Sequence, residues 1–193
     1  MIQKEPETFC PASQQEWRQW LTDNHQEKQS VWLIYYKTSS QQPSLSWSDA
    51  VDEALCFGWI DSTRKSIDSE KFLQLFSKRK PKSTWSKINK EKVSRLIQEG
   101  HMNTAGLKCI EIAKQNGSWN ILDEVEELKM PKDLELALAS APESIEFFHS
   151  LSKSVKKSIL HWIVVAKKPE TRNKRITEIA LFISQKQKPR IFF

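Results

Sequence analysis

Residues 53–106 read EALCFGWIDSTRKSIDSEKFLQLFSKRKPKSTWSKINKEKVSRLIQEGHMNTAG, and the order of patterns inside this stretch decides the fold. A helical apolar pattern (Ala50, Val51, Ala54, Leu55, Phe57) stops at Gly58, because glycine accepts the left-handed conformation that ends helices. Trp59–Ile67 and Lys71–Lys78 then alternate as two strands around a tight turn at Asp68-Ser69-Glu70. Pro81 breaks the second strand. Ser83 or Ser86 caps a helix that carries Val93, Leu96 and Ile97 and ends at Gly100. A further helix begins near Asn103 or Thr104, carries Leu107, Ile110 and Ala113, and ends at Gly117.

Upstream, Ser13 and Glu16 form a capping box for a helix over 13–25, with Trp17, Trp20 and Leu21 on one face. Val31–Lys37 (VWLIYYK) is rich in β-branched and aromatic residues and reads as a strand, apolar on both faces and so covered on both. With the hairpin it makes a small antiparallel sheet of about three strands. The polar SSQQPS that follows is a loop, and Ser46 with Asp49 caps the next helix.

Downstream, Trp119–Met130 is acidic, poorly periodic and reads as a connector. Pro131 stands at a helix start, where its missing N–H is harmless. Helices follow over 132–140, 143–150 and 153–167, and Glu170–Gln185 is amphipathic through Ile176, Ile179, Ala180 and Ile183. The tail KQKPRIFF is basic, then apolar; docking on the body and disorder are both compatible with it. The expected fold is α+β: residues 1–129 form a domain with a small antiparallel sheet flanked by helices, and 130–193 form an all-helical module packed on it.

At 193 residues with eight Trp and nine Phe, the chain buries a substantial core and is not a disordered polymer. No run approaches the length of a membrane span. MIQKEPETFCPAS has no apolar h-region, so no signal peptide is expected and the chain reads as cytoplasmic. Cys10, Cys56 and Cys109 are odd in number and far apart, which fits free thiols better than disulfides or zinc. His25, His101, His149 and His161 lack metal-ligand spacing. Gly58, Gly100 and Gly117 act as helix stops, which leaves no glycine-rich loop to cradle a phosphate. No metal and no cofactor are expected.

Net charge is +6 but unevenly placed. Residues 78–95 carry Lys78, Arg79, Lys80, Lys82, Lys87, Lys90, Lys92 and Arg95 against Glu91; residues 123–146 are acidic, and 153–190 are basic again. Such blocks attract polyanions or face solvent. Strand alternation puts Trp59, Asp61 and Thr63 on one face and Ile60, Ser62 and Arg64 on the other. Arginine grips carboxylates and phosphates, and tryptophan faces hold rings. The candidate ligand-binding set is therefore Trp59, Asp61, Arg64, Arg79, Lys82, Trp85 and Asn89. Three functions remain open: a non-enzymatic protein binding a small anionic ligand or a protein partner; nucleic-acid binding through 78–95 and 153–190; and an enzyme using Asp61 with Arg64 or Arg79.

The blocks EALCFGWIDS, KPKSTWSKINKEKVSRLIQEGHMNTAG, MPKDLELAL and HWIVVAKKPETRNKRITEI resemble the YdeI/OmpD-associated, or bacteriocin-protection, family. The resemblance runs from about Trp17 to Lys186, and the helical module over 130–186 is similar to the part that names the family. It implies a link to bacterial tolerance of antimicrobial peptides or envelope stress, and its label implies a periplasmic setting. It brings no reaction, cofactor or catalytic residue.

Overall fold

The structure is a computed structural model that describes residues 7–40, 42, 44–139 and 142–189. Gln41 and Pro43 of the polar loop, the expected helix end at Ser140, and Arg190–Phe193 of the tail and second basic segment lie outside these residues. The chain divides into two compact units, Met1–Trp119 and Asn120–Phe193.

The first unit holds a mixed sheet of four strands, β1 (Thr8–Phe9), β2 (Ser30–Tyr36), β3 (Trp59–Ser66) and β4 (Lys71–Lys78), in the order β1-β2-β4-β3. The three expected strands pair antiparallel. The two-residue β1, too short to signal itself by periodicity, adds a parallel edge to β2. Asp68 fixes the hairpin turn by accepting from the backbone N–H of Glu70 and Lys71, both at 2.7 Å.

Four helices accompany the sheet: α1 (Gln14–Asn24), α2 (Trp47–Cys56), α3 (Lys87–Gln98) and α4 (Thr104–Gln115). Their N-caps are Ser13, Ser46, Ser86 and Asn103, each accepting a backbone N–H of the first turn. Gly58, Gly100 and Gly117 all have positive φ, as helix stops require. Helix α2 is the centre of this unit, with every residue from Ala50 to Phe57 buried. Its two buried acids are paired: Asp52 with Lys92 at 2.5 Å and with Arg95, and Glu53 with Arg18 at 2.6 Å. On α4, Gly106, Ile110 and Ala113 turn inward, while the expected core residue Leu107 is exposed.

The sheet's inner face presents Val31, Leu33, Tyr35 and Phe76 to the helices. Its outer face is not covered in the same way. Trp32 is buried beneath Lys65, whose Nζ lies 4.9 Å from the ring centroid, whereas Ile34 and Tyr36 are half-buried.

The second unit is helical: α5 (Asp123–Glu126), α6 (Lys132–Leu138), α7 (Pro142–Ser150), α8 (Lys153–Val164) and α9 (Pro169–Ser184). The expected connector contains α5, and Leu122 and Val125 enter a core with Leu134, Leu138, Phe148, Ile159, Leu160, Ile163, Ile176, Ile179 and Ile183. A single turn of helix is too short to show a period, so its two apolar residues read as isolated. Asp133 and Arg172 link α6 to α9 at 2.6 Å. Among the described residues no helix is long and apolar enough to cross a membrane.

Candidate functional site

Five of the seven predicted site residues fall into two neighbourhoods, and a β-bulge brings Arg64 into the one that holds Asp61. Asp61 stands opposite Phe76 and Arg64 opposite Gln74, so Ser62 and Thr63 together face the single residue Leu75. Simple alternation placed Asp61 and Arg64 on opposite faces. The extra residue returns Arg64 to the inner face that carries Asp61, Gln74 and Phe76.

Asp61 accepts from the indole N–H of Trp47 at 2.9 Å and the amide of Gln74 at 3.3 Å, rather than from Arg64 or Arg79. Arg64 lies over Phe72, its guanidinium carbon 3.7 Å from the ring centroid. Arg64, Phe72, Tyr35 and Trp47 line an open cleft of about 700 Å³. The Tyr35 hydroxyl is buried there without a hydrogen-bond partner, and burial raises its pKa.

Trp59 and Arg79 belong to a second cavity, of about 340 Å³. The backbone N–H of Arg79 donates to Gly58 O at 2.9 Å, carrying the β3–β4 pairing one residue past the hairpin's end. The Arg79 side chain turns inward and is only 8% exposed. Its guanidinium carbon sits 3.7 Å from the centroid of Trp85, and its Nη2 donates to Thr84 O at 2.6 Å. Nε and Nη1 are buried with no acceptor among the described residues, and so is the indole N–H of Trp59. Burial pulls the guanidinium down to about 10, which leaves it a full cation at neutral pH.

The other walls come from His25, Gln26, Phe57 and Gly58, from Lys78 and Pro81, and from the α4 stripe Ala105, Lys108, Cys109 and Ile112. Among the described residues that line it there is no carboxylate. Lys78 donates to Gln26 O at 2.7 Å, and His25 holds its Nδ1 2.8 Å from Leu21 O, which fixes that nitrogen as the donor. Burial raises the Cys109 thiol, with Arg79 pulling weakly the other way. Cys10 is exposed and Cys56 buried, and all three cysteines are free.

Two expected members lie elsewhere. Lys82 is exposed, and the backbone N–H of Asn89 donates to the Ser86 hydroxyl in the cap of α3. Trp85 acts from beneath, stacked against Arg79 and 4.9 Å from Trp119. The α4 stripe was not predicted, although Ala105, Cys109 and Ile112 fall at the three- and four-residue spacings of one helix face.

The residues of this unit coincide with a known sequence family. Residues 9–109 match the model described as a domain of unknown function (DUF8412). The chain belongs to that family. Residues 127–185 match the model described as "Bacteriocin-protection, YdeI or OmpD-Associated", which covers α6–α9. No curated protein and no solved structure matches the chain. In this DUF8412 chain the cavity residues from His25 to Cys109 fall within the DUF8412 match, while the YdeI/OmpD-associated match begins after them.

Proposed function

We propose that the protein is a non-enzymatic binding protein whose first unit takes a small anion in the cavity beside Arg79. The observation that carries this reading is a buried guanidinium with no ion-pair partner among the described residues; Asp61, engaged by Trp47 and Gln74, acts on it only through its field. An isolated charge in a protein interior is costly unless something opposite neutralises it. Trp85 and Thr84 O offset part of that cost. A bound anion supplies the rest, in surroundings where water screens poorly. The absence of a lining carboxylate and the presence of Lys78 and Lys108 favour the same sign of ligand.

The basic run favours a pocketed anion over a nucleic-acid strand. Arg79 is buried, Lys78 is bound to a carbonyl, and Lys92 and Arg95 are turned onto Asp52. An enzyme built on Asp61 finds less support, since that carboxylate is held by Trp47 and Gln74. The YdeI/OmpD-associated match supports a role for such binding in protection against bacteriocins and related envelope stress.

The test is a thermal-shift series on the full chain at high salt, with inorganic phosphate, sulfate and small carboxylic acids. At least one anion is expected to raise Tm, and the rise is expected to vanish in Arg79→Gln while persisting in Arg64→Ala. No shift with any anion, or a shift that survives Arg79→Gln, refutes the proposal.

A further inference from the structure

Resting on that reading of the Arg79 cavity, we infer that its ligand is an organic carboxylate with an apolar, ring-sized body, not a phosphate or a nucleotide. The lining divides accordingly. Phe57, Trp59, Pro81, Ala105 and Ile112 give an apolar wall, and Gly58 brings backbone against it without a side chain. A cavity of about 340 Å³ lies at the small end of ligand pockets, which are mainly apolar with a few placed polar groups. One buried cation matches one negative charge.

A phosphate is a poor fit on the same grounds. It carries nearly two charges at neutral pH and oxygen acceptors on every side. Among the described residues the buried cation that meets it is Arg79, with the exposed Lys108 and the engaged Lys78 as further charges. Beyond the free donors of Arg79 and the Trp59 indole N–H, the wall of Phe57, Pro81, Ala105 and Ile112 offers the phosphate's remaining oxygens no side-chain donor, and unpaired polar groups are penalised. An acid with a ring reverses this. The carboxylate meets the charge, and the ring replaces water against Pro81 and Ile112. The neutral Cys109 thiol is compatible with such a body, since it behaves as a small apolar group.

Cys109 also supplies a readout inside the cavity. It is half-buried and lines the wall, Cys56 is fully buried, and the exposed Cys10 is removed by Cys10→Ser. The experiment uses the full chain as Cys10→Ser, with five probes: indole-3-acetate, 3-phenylpropionate, the neutral amide of each, and inorganic phosphate. Affinity is measured by calorimetry, and protection of Cys109 by the rate of its reaction with a thiol reagent. The acids are expected to bind at least about tenfold more tightly than the amides and to slow labelling of Cys109. Phosphate is expected to do neither. Arg79→Gln is expected to bring acid and amide within about threefold of each other. Lys108→Glu, an exposed change safe for folding, is expected to weaken the acids several-fold in a salt-dependent way.

Phosphate binding that depends on Arg79, without acid binding, overturns this inference and leaves the anion site standing. Equal binding of acids and amides, indifferent to Arg79→Gln, overturns both. Acid binding that leaves Cys109 labelling unchanged places the ligand elsewhere and overturns the inference, and so does the failure of all five probes to bind.

Discussion

Arg79 lies over Trp85 with its guanidinium carbon 3.7 Å from the ring centroid, so an aromatic face and one carbonyl hold a buried cation where a carboxylate is usual. The two residues therefore answer differently to mutation. Trp85→Ala removes a fully buried ring and is expected to cost about 3–5 kcal/mol. Arg79→Met keeps the stem and deletes a buried charge that is only partly compensated, so stability is expected to stay level or rise by up to about 2 kcal/mol. Urea unfolding of the ligand-free variants measures both. A loss above about 2 kcal/mol in Arg79→Met would make Arg79 a structural anchor and weaken the case for a ligand.

The glycines give a graded test of packing. A Cβ on Gly106 would lie 2.2 Å from Cys56 O, against backbone that cannot swing aside, because α4 packs closely on the end of α2 there. Gly106→Ala is expected to cost more than about 3 kcal/mol. At Gly58 the strain of φ +73° combines with approaches of 3.2 Å to Ala105 O and 3.3 Å to Cys109 Cβ. Gly100 has the same backbone strain, at +72°, in open space, so Gly100→Ala is expected to cost only about 1 kcal/mol. Chemical denaturation should rank them Gly106, Gly58, Gly100 in decreasing cost.

What the sequence made legible follows from the range of the interactions involved. Caps, helix stops and the hairpin turn are local, and Ser13, Ser46, Ser86, Gly58 and Asp68 all do what their types dictate. The bulge at Ser62-Thr63 is set by pairing with β4 and leaves the composition of β3 unchanged, so the alternation argument ran past it and misplaced Arg64. The site was half legible for the same reason. Trp59, Arg79 and Trp85 stood out as residue types, but their separation from Asp61 and Arg64, and the wall from α4, depend on tertiary packing. That Gly106 is needed for close approach, while the other three glycines serve as stops, also requires the partner backbone to be in view.

Alkaline pH is expected to destabilise the first unit through its buried thiols. Burial pushes Cys56 up to about 11 from an ordinary value of 9.0. The folded state thus keeps this proton through a window in which the unfolded chain has lost it. The thiol's contribution to stability is complete below about pH 9 and is lost as pH rises toward 11. Cys56→Ala removes that dependence, so its unfolding free energy should decline less steeply than that of the parent between these limits. The difference is expected to be about 1–2 kcal/mol, and identical slopes would show that the thiol is not desolvated.

The last test concerns the basic run itself. Lys92 and Arg95 converge on the buried Asp52, and the Lys92 side chain is only 14% exposed, so this part of the run offers polyanions little free charge. Fluorescence anisotropy with a short single-stranded oligonucleotide should give, at physiological salt, no more than the roughly 10⁻⁴–10⁻⁶ M of non-specific binding, with a shallow salt dependence. Asp52→Asn keeps the shape of the site and cancels its charge. It frees Lys92, while Arg95 keeps its ion pair with Glu99, so the salt slope is expected to steepen by about 1 while stability drops, because Lys92 is left without its counter-charge. Submicromolar binding by the parent protein with a steep slope would reverse the argument and make 78–95 a nucleic-acid surface in spite of Asp52. A steep slope confined to Asp52→Asn would instead show that one buried aspartate on α2 keeps the run from acting as a polyanion site, and leaves Arg79 to meet a small ligand.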